Sequence, residues 1–307
     1  MKSDEKSPFT ITARTRPFEV VAVGTMSAGK STLLNALIGQ ELLHVANLAT
    51  TACVTRIEHQ SGLNFVGLRY GDNDALLEQE LNLKPEIVSA WNAAPDTHTI
   101  ELRGPFNMLS QSATGLVLYD TPGPNNSQNA GHRQAMRRAL RTIPFHALCY
   151  VMNAQHPGTD DDLATLELLR EEVQDKPEHK IWFILNKADS LDPEKGESIA
   201  KSVNNAAEYL GKAGFSDPIV IPTIAHAALY AKKAMHGQHL TRTQRYALQH
   251  ASEFLQERSE ELMHAALMPA ALREYWGAQL KSSPDDSYQH LLAASGITVA
   301  EALLCNN

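Results

Sequence analysis

The chain has 307 residues, of which 43% are hydrophobic, and a formal net charge of −8. This acidity argues against broad binding to nucleic acids, and no apolar run is long enough to cross a membrane as a helix. The charged N-terminus does not match a signal peptide, and the three cysteines are too widely spaced to form a metal cluster. We therefore expect a cytoplasmic protein with a substantial buried core.

Strand-like and helix-like segments alternate along the chain. Short apolar or β-branched runs predict strands at 18–23, 54–58, 65–70, 99–102, 116–119, 147–152, 181–185 and 218–221. Helical spacing predicts helices at 32–38, at 74–93 with a break near Pro85, at 133–141, 160–175 and 194–213, and over most of 225–307. The strand at 65–70 is expected to pair with the strand at 54–58 across a turn that contains Gly62. This alternation predicts an α/β fold with a mostly parallel sheet, helices on both faces and extra helices at the C-terminus.

A phosphate-binding loop is predicted between the first strand and the first helix, where residues 24–31 fit the pattern G-x-x-x-x-G-K-[ST]. Its glycines let the backbone approach an anion closely, and its N–H groups together with the helix N-terminus attract phosphates. Lys30 is expected to reach the β- and γ-phosphates, and the Ser31 hydroxyl to ligate Mg²⁺. The predicted nucleotide-binding residues of this segment are Gly24, Thr25, Met26, Ser27, Ala28, Gly29, Lys30, Ser31 and Thr32.

Two further motifs follow predicted strands. In residues 120–123, Asp120 would hold the Mg²⁺ site, usually through a water, and the Gly123 N–H would contact the γ-phosphate. In residues 186–189, the Asp189 carboxylate can accept hydrogen bonds from guanine N1–H and from its 2-amino group, a donor pair that adenine lacks. We therefore predict that Asn186, Lys187 and Asp189 bind the base.

These three motifs, in this order, resemble those of a GTPase of the translation-factor-related class, and the resemblance covers residues 18–225. The fifth GTPase motif usually reads Ser-Ala after the last strand. Residues 222–226 depart from it, so no base contact is assigned there.

The phosphate loop, the stretch Ala49-Thr50-Thr51-Ala52 and residues 120–124 together resemble the dynamin family, in particular its bacterial dynamin-like members. The resemblance implies a GTPase in which Thr51 is the threonine of the first switch, ligating Mg²⁺ and orienting water. It implies a K⁺ or Na⁺ ion near Ser27. Pro124 stands where Ras-like enzymes carry a glutamine, and Met26 stands where animal dynamins have one. The implied catalytic residues are Ser27, Lys30, Thr51 and Gly123, and the implied Mg²⁺ ligands are Ser31, Thr51 and Asp120.

The resemblance also implies partners: a second copy of the chain, through a nucleotide-dependent dimer of the GTPase domain, a second dynamin-like subunit, or a membrane surface to which the protein would bind peripherally. Two alternatives stay open, namely a monomeric regulatory GTPase of the ribosome-assembly kind and a GTP-gated binding module with little hydrolysis. For the arginines at 133, 137 and 138, a solvated or packed helix face is favoured over a role as a finger acting in trans.

Three segments are expected: a polar lead-in over 1–17, a dynamin-like GTPase domain over 18–236, and a helical extension over 237–307. The extension either packs on the GTPase domain or leads to a missing helical bundle. Within it, Ser283 is predicted to cap a helix that starts at Pro284 and ends before Gly296. Thr298 and Glu301 fit a capping box for a last short helix.

Overall fold

The computed structural model describes residues 17–25, 27–43, 53–108, 113–122, 130–173, 179–256, 258–284 and 287–305. In this part of the chain, nine strands form a single sheet. The strands are β1 (Phe18–Gly24), β2 (Val54–His59), β3 (Val66–Tyr70), β4 (Leu76–Glu80), β5 (Thr99–Gly104), β6 (Leu116–Asp120), β7 (Ala147–Asn153), β8 (Lys180–Asn186) and β9 (Ile219–Thr223). The α-helices are α1 (Lys30–Ile38), α2 (Pro85–Ala93), α3 (Ala130–Thr142), α4 (Asp160–Val173), α5 (Ile199–Lys212), α6 (Ala225–Met235), α7 (Arg242–Gln256), α8 (Glu261–Ala265), α9 (Ala270–Ser282), α10 (Tyr288–Ala294) and α11 (Ile297–Cys305).

The strand order across the sheet is β4-β3-β5-β2-β6-β1-β7-β8-β9. From β6 to β9 every neighbouring pair is parallel, and these central strands are buried almost throughout, which is why they carry near-continuous apolar runs. Antiparallel pairs occur where β2 meets β6 and where β3 meets β4 and β5. The predicted α/β fold with a mostly parallel sheet is therefore confirmed, with a mixed edge formed by β2 to β5.

The predicted pairing of the strand at 65–70 with the strand at 54–58 is wrong. Strand β2 has β5 on one side and β6 on the other, so neither of its edges is open to β3. Strand β3 pairs instead with β5, placing Leu68 opposite Glu101. The chain between β2 and β3 therefore crosses past β5, which lies between these two strands in the sheet. The turn that contains Gly62 does not connect a hairpin.

The helix predicted over 74–93, with a break near Pro85, is wrong in its first half, because residues 76–80 form the edge strand β4. Long-range contacts decide this outcome: Arg69 of β3 makes an ion pair with Glu78 at 2.9 Å, and the Trp91 indole N–H donates to the other Glu78 oxygen at 2.8 Å. Helical propensity in the segment is thereby overridden by pairing with β3. The predicted restart is confirmed, since α2 begins at Pro85, where a helix does not need the missing N–H.

The helices that follow β9 pack against one another and against the sheet. The Trp276 indole of α9 donates to the carbonyl of Ala293 in α10 at 2.7 Å, and the Ile224 N–H at the end of β9 donates to Ser295 O at 3.0 Å. Helix α11 is buried along most of its length between α1, α9 and β9. Among the described residues, no helix is both long enough and apolar enough to cross a membrane.

Two capping predictions in this region are wrong. Ser283 ends α9, where its hydroxyl donates to the carbonyls of Gln279 and Leu280, and α10 is capped by Ser287, whose hydroxyl accepts from the His290 N–H at 3.1 Å. The capping box predicted at Thr298 and Glu301 does not form, because α11 begins at Ile297, which places Thr298 inside the helix, and the buried Thr298 hydroxyl has no hydrogen-bond partner among the described residues. Glu301 is fully buried and bonded to Lys232 of α6 at 2.6 Å. By contrast, Gly296 follows α10 in a left-handed conformation, as predicted.

The three tryptophans are distributed over three parts of the fold. Trp91 lies in α2 beside the mixed edge of the sheet, Trp182 lies in β8 within the parallel part, and Trp276 lies in α9 among the C-terminal helices. All three are buried. Each part of the molecule therefore contains one indole that solvent does not reach.

Candidate functional site

The phosphate loop connects β1 to α1 with glycines at two positions that exclude other residues. A Cβ on Gly24 would lie 2.6 Å from the carbonyl oxygen of Val151, and a Cβ on Gly29 would lie 2.3 Å from the amide nitrogen of Asn186. Gly29 also has a φ of +90°, which favours glycine. Between them, Ser27 has a φ of +62°, an uncommon conformation for a residue with a side chain. The loop is therefore held close to its neighbours on both sides.

Lys30, Ser31 and Asp120 meet where the first turn of α1 faces the end of β6. The Lys30 ammonium contacts Asp120 Oδ1, and the Ser31 hydroxyl lies 3.4 Å from Asp120 Oδ2. Burial lowers the pKa of Lys30 to about 7, although the carboxylate lies against it. Asp120 is placed by the parallel pairing of β6 with β1, and the neighbouring Thr121 hydroxyl donates to Ala22 O at 2.8 Å.

The donors at this point suit Mg²⁺, which prefers oxygen ligands and is commonly bound by one or two protein groups together with substrate phosphates and waters. Ser31 and Asp120 supply a hydroxyl and a carboxylate side by side. Among the residues described, no cluster of three or more His, Cys, Asp or Glu side chains could hold a metal by itself. A site of this kind therefore needs the phosphates to complete it.

Asn186, at the end of β8, joins three segments of the site with one buried amide. Its nitrogen donates to Ala28 O of the phosphate loop at 3.1 Å. Its oxygen accepts from the Ala225 N–H at 3.1 Å and lies 3.4 Å from the Thr223 hydroxyl. The two segments that follow β8 and β9 are thereby fixed relative to the phosphate loop. Both Thr223 and Ala225 lie in the 222–226 segment where the fifth GTPase motif was expected, but the sequence assigned them no contact.

Asp189 lies on the same side of the sheet, in the short turn after β8. Its side chain is only 8% exposed, and its Oδ1 is buried without a hydrogen-bond partner among the residues described. Its Oδ2 lies 3.6 Å from Nε2 of His226, the second residue of α6. A buried carboxylate oxygen without a hydrogen-bond partner is costly, so Oδ1 indicates a place where a ligand supplies the missing donor. His226 was not foreseen from the sequence, because its proximity to Asp189 depends on how β9 ends.

The structure thus brings together the predicted residues from 24, 25 and 27–32 with Asp120 and with the 186–189 segment at the carboxyl edge of the parallel strands. That edge is where ligands bind in open α/β sheets. The predicted site residues Met26, Thr51 and Gly123 lie outside the described residues, as do Thr50 and Pro124.

Two arginines of α3 pair with glutamates of α4. Arg137 pairs with Glu171 at 2.7 Å, and Arg141 pairs with Glu172 at 2.8 Å. Arg138 is exposed. For Arg137, the packed face that the sequence favoured is what the structure contains.

A parallel sheet with a glycine loop between β1 and α1, and with acidic and amide residues at the ends of β6 and β8, defines a P-loop GTPase domain. The family model described as "Dynamin family" matches residues 20–188, which is more than half of the chain. The chain belongs to the dynamin family, and its domain is of the bacterial dynamin-like kind.

Two curated relatives and one solved structure are similar to parts of this chain. Dynamin-like protein A of Bacillus subtilis is 27% identical over 173 residues, covering 56% of this chain and 13% of that protein. The tRNA modification GTPase MnmE of Christiangramia forsetii is 27% identical over 218 residues, covering 68% of this chain and 41% of that protein. A solved structure of an oligomerised bacterial dynamin pair superposes with a TM-score of 0.54 at 17% identity, covering 88% of this chain and 43% of that one, and at this identity it shows the fold. The chain spans less than half the length of each of these relatives.

Proposed function

We propose that this chain binds GTP and hydrolyses it to GDP and phosphate in the presence of Mg²⁺. The observation that carries the proposal is the buried carboxylate of Asp189, whose Oδ1 has no partner among the residues described and which lies in the segment that Asn186 ties to the phosphate loop. Guanine offers two adjacent donors, N1–H and the 2-amino group, to such a carboxylate. Adenine would leave it buried and unpaired, so the site favours guanine nucleotides.

The phosphates would lie over residues 24–32, where backbone N–H groups and the start of α1 favour negative charge. Lys30 would turn from Asp120 towards the β- and γ-phosphates. The phosphates would then replace the carboxylate as the negative partner of the buried ammonium. Ser31 and Asp120 would hold the Mg²⁺ site, and by family resemblance Thr51 would join them. Bound there, Mg²⁺ neutralises charge that develops on the phosphate oxygens during transfer.

Hydrolysis itself is assigned to residues that the family resemblance names. Thr51 would orient the attacking water, and the Gly123 N–H would contact the γ-phosphate. Ser27 would help to hold K⁺ or Na⁺ beside the phosphates. Ser27 has a left-handed backbone conformation and lies at the bend of the loop, next to where the phosphates are expected.

Self-association is the second part of the proposal. The structural relative is an oligomerised bacterial dynamin pair that is described as sensing and tethering membranes at long range. By analogy, this chain would pair with itself through the GTPase domain when nucleotide is bound, or with a second dynamin-like subunit. We place the GTPase domain at 18–236 and the helical extension at 237–307. The protein would be cytoplasmic and would reach a membrane surface peripherally.

GTP turnover per molecule, measured across protein concentration in potassium buffer and in buffer without a monovalent metal cation, tests both parts. We expect turnover to rise with concentration and to be higher in potassium. A slow and constant rate at every concentration would rule out assembly-stimulated hydrolysis by this chain and would favour the GTP-gated binding module.

The Lys30→Ala variant tests the phosphate loop separately. We expect it to lose nucleotide binding, because the phosphates lose their buried cation. The matched control is Lys281→Ala at the exposed end of α9, which removes a lysine far from the site and should bind as the unmodified chain does. Undiminished GTP affinity in Lys30→Ala would overturn the assignment.

A further inference from the structure

His226 stands beside the one carboxylate that the proposed function assigns to the base. Its Nε2 lies 3.6 Å from Asp189 Oδ2, which is longer than a hydrogen bond, while the other carboxylate oxygen is buried and unpartnered in the described part of the chain. The histidine is largely buried, with 25% of its side chain exposed. It follows Ala225, whose N–H is held by Asn186, and its ring packs near Tyr230 at 5.9 Å between centroids.

We propose that His226 is a proton-sensitive competitor for the carboxylate that recognises guanine. When the imidazole is neutral, the open 3.6 Å gap leaves both oxygens of Asp189 to the two donors of the base. When the imidazole is protonated, it becomes a cation with an N–H beside Oδ2, and a small closure gives a charge-assisted hydrogen bond of about 2.7–2.9 Å. One of the two guanine donors then loses its acceptor. This inference rests on the proposed function, because it concerns the same nucleotide site.

The charged and titratable groups that face His226 determine the pH range of this competition. Asp189 favours the protonated imidazole, whereas Lys187 from the same turn and His250 from α7 oppose it. Burial opposes it as well and is the largest influence, so the pKa of His226 lies below the usual value of about 6.5. The competition therefore belongs to acidic pH, and at neutral pH the site is open.

The direction of the effect follows from linkage. Guanine binding occupies the Asp189 carboxylate, which otherwise stabilises the protonated imidazole. His226 is therefore protonated in a smaller fraction of the nucleotide complex than of the free protein. Nucleotide affinity must then fall as the pH falls through the pKa of His226 in the free protein, and binding at acidic pH releases protons. For one linked proton the limit is a tenfold change in affinity per pH unit, or about 1.4 kcal/mol.

The test is the equilibrium binding of fluorescently labelled GDP to the full chain at pH 7.5, 6.5 and 5.5, because GDP avoids interference from hydrolysis. Three proteins are compared: the unmodified chain, His226→Gln and His250→Gln. The terminal phosphate of GDP titrates in the same range and affects all three alike. We expect the dissociation constant of the unmodified chain and of His250→Gln to rise between pH 7.5 and 5.5 by at least about threefold more than that of His226→Gln. Circular dichroism at each pH confirms that the proteins stay folded.

The outcomes separate this inference from the proposed function. If the unmodified chain does not bind GDP at pH 7.5, the proposed function fails. If it binds, but His226→Gln has the same pH profile, or His250→Gln alone has a flat one, the assignment to His226 is overturned. Should His226→Gln fail to bind at all, calorimetry of the unmodified chain in two buffers of different ionisation enthalpy decides. Proton release on GDP binding at pH 5.5, beyond that of the nucleotide itself, supports the competition, and its absence contradicts it.

Discussion

At the scale of single residues, Asn186 joins two parts of the candidate site through one side chain. One amide bonds to the phosphate loop through Ala28 O and to the segment after β9 through the Ala225 N–H, both at 3.1 Å. The packing leaves no room for adjustment, since a Cβ on Gly29 would collide with the same amide. This one amide therefore connects the loop between β1 and α1 to the segment that follows β9.

Replacing Asn186 with alanine should weaken both stability and binding. The change leaves the Ala225 N–H and Ala28 O without their buried partner, so we expect the free energy of unfolding to fall by about 1–3 kcal/mol. GDP affinity should fall at least tenfold because two segments of the site lose their connection. Urea denaturation and GDP titration measure the two effects. Asn204→Ala, on the exposed side of α5, is the matched control and should change neither. Retention of full GDP affinity in Asn186→Ala would contradict the proposed bridging role.

Asp189→Asn should exchange the preferred base. An amide in this position still accepts from N1–H but offers an N–H₂ group where the carboxylate offered an acceptor. The 2-amino group of guanine is then opposed by a donor, whereas the 2-carbonyl of xanthine is matched. We expect preference to move from GDP towards XDP by tenfold or more, about 1.4 kcal/mol. Competition binding of the two nucleotides measures it. A variant that loses GDP without gaining XDP would indicate that Asp189 does not contact the base.

At the scale of secondary-structure elements, a buried ion pair connects three helices. Lys232 of α6 donates to Glu301 of α11 at 2.6 Å and to Ala36 O in α1 at 2.6 Å, and both charged side chains are fully buried. Helix α1 is the helix that begins at the phosphate loop. Such a pair adds little net stability, but removing one partner leaves a buried charge uncompensated.

Glu301→Ala should therefore lower the free energy of unfolding by about 3–5 kcal/mol, whereas the double replacement Lys232→Met with Glu301→Leu should recover most of that loss. Chemical denaturation followed by circular dichroism measures both. Lys212→Met is the control, because Lys212 pairs with Glu208 at 2.8 Å on the exposed surface of α5 and such a pair is worth at most about 1 kcal/mol. A double variant no more stable than Glu301→Ala would show that packing at this point, and not charge, is limiting.

The elements also show where sequence reasoning succeeds and where it stops. The parallel strands were predictable because burial on both faces demands continuous apolar runs, as in β1 and β7. Strand β4 was not, because its partner β3 and the Arg69–Glu78 contact are properties of the folded chain. Glu301 carried a misleading local signal: a Thr-x-x-Glu spacing typical of a helix start, on a segment that tertiary packing buries completely. His226 lies in the 222–226 segment where the fifth GTPase motif was expected, but the segment departs from that motif and so gave the histidine no role.

At the scale of the whole molecule, the C-terminal helices pack against the segment that follows β9. The carbonyl of Ser295 accepts from the Ile224 N–H at 3.0 Å, one residue before Ala225, and a Cβ on Gly296 would lie 2.5 Å from Pro222 O. The turn between α10 and α11 is thus packed directly against the end of β9. The segment that follows β9 is therefore positioned in part by residues that lie far beyond the three loop motifs in the sequence.

A chain that ends at Ser283 tests this dependence. It lacks α10 and α11, so the Trp276 indole and Lys232 both lose buried partners and β9 loses part of its covering. We expect its melting temperature to fall by roughly 10 °C or more, since a loss of several kcal/mol corresponds to such a shift in a domain of this size. GDP affinity should fall with it. A truncated chain that melts and binds as the full chain does would show that the two helices are only an attachment.

The positions of the tryptophans allow the cooperativity of unfolding to be measured by tryptophan fluorescence. With Trp91, Trp182 and Trp276 buried in the mixed edge, the parallel strands and the C-terminal helices, any two can be replaced by phenylalanine to leave one emitter in a known part of the fold. The three single-emitter proteins would report, in turn, when each part admits water during denaturation. Coincident transitions mean that the domain unfolds as one unit, whereas an early red shift from Trp91 alone would mean that the edge strands separate first.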